Sequence, residues 1–139
     1  MKNKIETMHI INAPLEKVWS NIKRGDGVDL WLPIITACKL EGSGIGAKRI
    51  CTTEQGPIHE TILTIDDEQK VFQYRIDEQS LMPISSIVGT MKLNNLKSST
   101  ELEWTIEFEI ENEEYLDEVK NGIQEIYAAG AKGLEAISM

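Results

Sequence analysis

Between residues 113 and 137 apolar positions recur at helical spacing: Leu116, Val119, Ile123, Ile126, Gly130, Leu134 and Ile137 share one face. This stripe predicts one long amphipathic helix, about 37 Å in length at about 1.5 Å per residue and able to lie across a whole sheet. Ala128, Ala129, Gly130, Ala131 and Gly133 thin its second half. Two readings follow, close approach to a neighbouring backbone or space for a pocket. Near the start, Leu15, Val18, Trp19 and Ile22 predict a short helix with Pro14 at its first position, and residues 28–32 add one more turn before Pro33. Elsewhere the pattern has strand character, in runs at residues 4–11, 34–41, 48–54, 58–65, 71–77, 86–93 and 101–110, separated by Gly, Asn, Asp and Pro.

Alternation assigns the faces. In residues 71–77, Phe72, Tyr74 and Ile76 alternate with Gln73, Arg75 and Asp77, so the aromatic side faces the core. A hairpin through residues 67–69 sets Ile62 beside Tyr74 and Glu60 beside Ile76, with His59 outward against Asp77. A turn at residues 55–57 then sets Thr52 beside Glu60 and Ile50 beside Ile62, and the next hairpin turns Thr36, Cys38 and Leu40 inward. This register places Cys38 inside and Cys51 outside, too far apart to bond. Trp104, Ile106 and Phe108 face inward against Met91, Gly89 and Ile87, with Lys92 meeting Glu103 outside. In the first strand Ile5, Thr7, His9 and Ile11 face in.

The inner face is therefore apolar with a few polar groups, the chemistry of a small-molecule pocket. Its candidate lining is Thr36, Cys38, Ile50, Thr52, Glu60, Ile62, Phe72, Tyr74, Ile76, Met91, Trp104 and Ile106 from the sheet, with Ile123, Ile126, Tyr127 and Gly130 from the helix. An inward glutamate is costly to ionise without a partner. Glu60 is either a ligand-facing group or a carboxylate near the open end bonded to Thr52 or water. Glu60, Tyr74 and His9 are the candidate acid–base residues, and His9 fits equally a satisfied core or rim histidine.

Composition narrows the function classes. The 139 residues suit a single domain spanning 1–139. A net charge of −9, from 23 acidic and 14 basic residues, argues against a nucleic-acid or anionic-membrane partner. No run reaches the roughly 18 apolar residues of a membrane span and no apolar signal core opens the chain, so a cytoplasmic location is expected. Neither metal-ligand spacing nor a nucleotide motif is present; no metal and no cofactor is expected, and the two cysteines read as small apolar side chains.

The stretch Ile11-Asn12-Ala13-Pro14-Leu15-Glu16-Lys17-Val18-Trp19, the following Trp31-Leu32-Pro33 and the terminal helix resemble the SRPBCC or START-like superfamily over essentially the whole chain. Within it the chain is similar to the bacterial polyketide cyclase/dehydrase-like group, and through Ile35-Thr36-Ala37-Cys38 and residues 60–68 it is more distantly similar to plant abscisic acid receptors. The resemblance implies an α+β helix-grip fold: a curved antiparallel sheet of about seven strands around the C-terminal helix, with two short helices after strand 1. It implies also a cavity holding a small apolar molecule. The receptors' carboxylate-holding lysine falls at Thr36, and their pocket glutamate and aromatic match Glu60 and Tyr74. The expected function is non-catalytic binding by a carrier or sensor; the alternative is a cyclase or dehydratase using Glu60 and Tyr74.

Overall fold

Seven antiparallel strands form one sheet in the order β1-β7-β6-β5-β4-β3-β2, in a computed structural model that describes residues 2–139. The strands are β1 (Lys2–Ile11), β2 (Ala37–Glu41), β3 (Lys48–Thr53), β4 (Gly56–Asp66), β5 (Val71–Glu78), β6 (Ile84–Leu96) and β7 (Ser99–Ile110). Helix α1 (Leu15–Lys23) follows β1, and the second expected helix is a single 3-10 turn, Val28–Leu30. A 3-10 turn at Glu113–Tyr115 leads into α2 (Leu116–Ser138), whose start is organised by the Asn112 side chain accepting from the Glu114 N–H. The arrangement is the helix grip, with the sheet curved around α2. Among the described residues no helix is long and apolar enough to cross a membrane.

The core forms where the period-two faces meet the helical stripe. Val119, Ile123, Tyr127 and Leu134 of α2 are buried with Phe72, Met91, Trp104, Ile106 and Phe108 of the sheet. The buried apolar stripe ends at Leu134 rather than Ile137: Ile137 is 37% exposed, while Ser138 is buried and bonds to Asn21 of α1. Trp19 anchors α1 with its indole N–H donating to Asp67 at 2.8 Å.

Register agrees with the alternation over most of the sheet. Ile62 pairs with Tyr74, Glu60 with Ile76, Met91 with Trp104 and Lys92 with Glu103. Irregularities account for two departures. His59 pairs with Glu78 rather than Asp77 because the register shifts between His59 and Glu60, and Ile87 falls in a bulge of β6, where the ladder to β7 skips from Ser85 to Val88.

The larger correction is β3. The β3–β4 hairpin closes with Thr53 opposite Gly56, not through residues 55–57. Thr53 Oγ1 accepts from the Gln55 N–H and donates to the Gly56 carbonyl, and Gly56 takes φ +124°, which few other residues adopt. Pro57 becomes a strand residue near the start of β4. The change in loop length inverts the strand. Arg49, Cys51 and Thr53 are buried, whereas Thr52 is exposed and Ile50 only partly covered. Cys38 still faces in, but directly opposite Cys51, with their sulfurs 3.2 Å apart.

The thin half of α2 is close packing. A Cβ on Gly133 would lie 1.8 Å from the Trp31 carbonyl oxygen, and one on Gly130 would lie 2.9 Å from both Leu32 and the Trp104 ring. The small residues let α2 settle onto the segment after α1. No space opens beside Gly130.

Candidate functional site

A cavity of about 110 Å³ lies between the sheet and the first half of α2. Glu60, Phe72, Tyr74, Ile76, Met91, Trp104 and Ile106 contribute its sheet wall, and Ile123, Ile126 and Tyr127 its helix wall. Six other expected lining residues sit elsewhere. Thr36 and Thr52 are exposed and hydrogen-bonded to each other through the Thr52 carbonyl, and Ile50 shares the outward parity of Thr52 on β3. Ile62 is buried under Gly25, at which a Cβ would lie 2.9 Å from its methyl. Cys38 lies behind Cys51, which takes its place on the wall, and Gly130 is packed as described.

The polar centre is one residue the sequence reading missed. Arg49, 5% exposed, donates through both Nε and Nη2 to Oε1 of Glu60, and through Nη1 to the Gly25 carbonyl at 2.8 Å. Its guanidinium carbon lies 5.5 Å from the Phe72 ring centroid and 5.3 Å from that of Tyr74. Burial alone would lower the pKa of Arg49; the Glu60 charge overrides this, and the guanidinium is held above its ordinary value. The carboxylate is thereby neutralised within the protein. The clue was Glu60 itself, since an inward carboxylate demands a donor and a two-residue hairpin supplies Arg49 as its direct cross-strand neighbour.

Above this pair lies an aromatic cluster. Gly89 makes room for it: a Cβ there would come within 2.3 Å of the Tyr74 ring, so only glycine lets the phenol lie across β6. The Tyr74 oxygen accepts from Trp104 Nε1 at 3.1 Å, and Trp104 stacks on Tyr127 with centroids 3.8 Å apart and planes 6° off parallel. Burial is the main cause that pushes both phenols above their usual range, reinforced at Tyr74 by the Glu60 charge and at Tyr127 by its bond to Tyr74. Both are neutral hydroxyls near pH 7.

His9 stands apart. It is half-buried on β1 and hydrogen-bonded to Thr7 at 3.0 Å, outside the cavity wall, and desolvation lowers its pKa. The acid–base trio is therefore reduced to Glu60 and Tyr74 in proximity.

The mouth was not visible in any periodic pattern. Val28, Trp31, Ile34 and Ile35 line the cavity from the segment between α1 and β2, and Gln79, Leu81, Met82 and Ile84, all partly exposed, line it on the side of the β5–β6 connection. Gln79 shapes its own loop. Its Oε1 accepts from the Leu81 and Met82 N–H groups at 2.8 and 2.9 Å, while its Nε2 donates to the carbonyls of Met82 and Ile84.

Solved structures share this architecture. A protein from Nitrosospira multiformis superposes with a TM-score of 0.81 at 24% identity, over 99% of this chain and 97% of its own. Major latex-like protein 151 of Panax ginseng gives 0.83 at 21%, over 100% and 99%. A point mutant of Thalictrum flavum norcoclaurine synthase, in complex with a transition-state analogue, gives 0.78 at 14%, over 99% and 94%. Among curated proteins there is no sequence match. The family described as polyketide cyclase / dehydrase and lipid transport matches residues 2–138, and the chain belongs to it.

Proposed function

We infer that this chain binds a small, neutral, hydrophobic molecule in the cavity between the sheet and α2, as a carrier or sensor. The observation that carries this reading is the composition of the wall: apolar side chains surround an ion pair that is already neutralised and two phenols kept un-ionised by burial. Such a wall offers hydrogen bonds without net charge. The Trp31 indole N–H, buried without a hydrogen-bond partner among the described residues, adds a donor on the cavity wall for an acceptor oxygen. An apolar cavity of about 150 Å³ holds one benzene, so the volume of about 110 Å³ here falls short of a full ring, and an occupant of that size or longer requires the walls to part. The family description, which includes lipid transport, is in keeping with this.

The catalytic alternative would assign proton transfer to Glu60 and Tyr74. Glu60 is committed to Arg49, and the raised Tyr74 phenol holds its proton near neutral pH. Binding is the better-supported reading.

The test is titration of a neutral apolar fluorescent probe, and of a matched carboxylate analogue, into the wild type and Ile126→Trp. Ile126 is only partly buried at the helix wall, so the larger ring fills the cavity while the helix keeps its exposed face. The neutral probe is expected to bind the wild type more tightly than the carboxylate, and the variant to lose at least about tenfold, or about 1.4 kcal/mol. Unchanged affinity in a variant of wild-type thermal stability would place the site elsewhere. Native mass spectrometry of protein from its own host identifies any retained molecule.

A further inference from the structure

We propose that Cys38 and Cys51 form a dithiol site that low-molecular-weight disulfides oxidise to an intramolecular disulfide across β2 and β3. The two residues are direct partners in the antiparallel ladder and point to the same face. Opposed residues of such a ladder have Cα atoms about 4.5–5.5 Å apart, within the span a disulfide bridges. Their sulfurs lie 3.2 Å apart, and closing to the bonded distance of about 2.05 Å requires a shift of about 1.2 Å, within reach of small side-chain rotations. Metal binding is a poor alternative, because among the described residues no group of three or more His, Cys, Asp or Glu side chains could hold an ion.

The roles of the two sulfurs are unequal. Cys38 is half-buried and reachable, while Cys51 is 1% exposed on the cavity wall. Either thiol can donate in the contact between the two sulfurs; with Cys51 as donor, that bond, the Val28 backbone and the Arg49 charge bring the Cys38 pKa down to about 7 against opposing burial. The Cys51 pKa is raised, by its hydrogen bond to Cys38 and by burial. Cys38 is thus the attacking thiolate and Cys51 the resolving thiol.

The step balances with a disulfide RSSR as oxidant. The Cys38 thiolate attacks one sulfur, forming a mixed disulfide and expelling one thiolate, which takes the proton Cys38 released. Cys51 then loses its proton and attacks Cys38 Sγ, forming the protein disulfide and expelling the second thiolate, which takes that proton. Two protein thiols are oxidised and one RSSR is reduced to two RSH. The product ties edge strand β2 to β3 beside the cavity.

The experiment equilibrates the full chain with graded ratios of oxidised to reduced glutathione at neutral pH, quenches in acid, alkylates, and reads intact mass and non-reducing peptide maps. Expected is a species lighter by two hydrogens, free of glutathione, with Cys38 and Cys51 peptides joined. Alkylation of the reduced protein should modify Cys38 at least about tenfold faster than Cys51. Cys51→Ser should instead accumulate glutathione on Cys38. A wild type that keeps both thiols at every ratio, retains a mixed disulfide, or links two chains together would overturn the proposal, and these readouts hold whether or not the serine variant is stable.

Discussion

Arg49 is as deeply buried as the apolar side chains around it, and its burial is tolerable only because Glu60 and the Gly25 carbonyl take its N–H groups. Two charges taken out of water together gain little over an apolar pair of the same volume, but one charge left alone is expensive. Arg49→Met should therefore cost about 3–5 kcal/mol by stranding Glu60. The double variant Arg49→Met, Glu60→Leu should recover most of that loss. Urea unfolding of the two single variants and the double variant measures the coupling. A double variant as unstable as the sum of the singles would show that the two residues act independently, in conflict with their shared hydrogen bonds.

At the scale of elements, α2 carries three glycines whose surroundings differ while their helix propensity does not. A Cβ on Gly122 would meet only the Met82 methyl at 3.5 Å, one on Gly130 would press on Leu32 and Trp104 at 2.9 Å, and one on Gly133 would enter the Trp31 carbonyl at 1.8 Å. Alanine in an open helix position gains about 0.8–1 kcal/mol over glycine, and overpacking costs about 1–3 kcal/mol. Gly122→Ala should raise stability, Gly133→Ala should lower it by at least about 2 kcal/mol, and Gly130→Ala should lie between, because Leu32 can shift but Trp104 is pinned between Tyr74 and Tyr127. Thermal unfolding gives the order, and a stabilised Gly133→Ala would mean that the helix does not rest on Trp31. The stripe of α2 was legible because a 3.6-residue period leaves its mark on every turn. The meaning of its thin half was not, because it depends on a segment of irregular backbone, around Trp31 and Leu32, that no period describes.

Across the whole molecule, legibility follows the same division. The in-register stretches of the β4–β5 and β6–β7 ladders, between their shifts, carried Tyr74, Glu60, Met91 and Trp104 to their places from alternation alone. A one-residue error in a turn inverted β3 and hid Arg49 while promoting Thr52 and Ile50. The mouth was invisible altogether, since Gln79 acts through hydrogen bonds to its own loop, a role written in geometry rather than pattern. The loop it shapes lines the cavity. Gln79 Oε1 holds the Leu81 and Met82 amides, and each such bond contributes about 0.5–1.5 kcal/mol. Gln79→Ala should accelerate hydrogen exchange at Leu81 and Met82 by about tenfold or more, leaving the amides of β6 and β7 beside Trp104 unchanged. If this loop limits passage, association and dissociation of a neutral probe should both quicken with little change in affinity, because the loop stands at the mouth and the interior wall is untouched. Unaltered exchange at Leu81 and Met82 would mean that the apolar contacts of those two side chains, and not Gln79, hold the mouth closed.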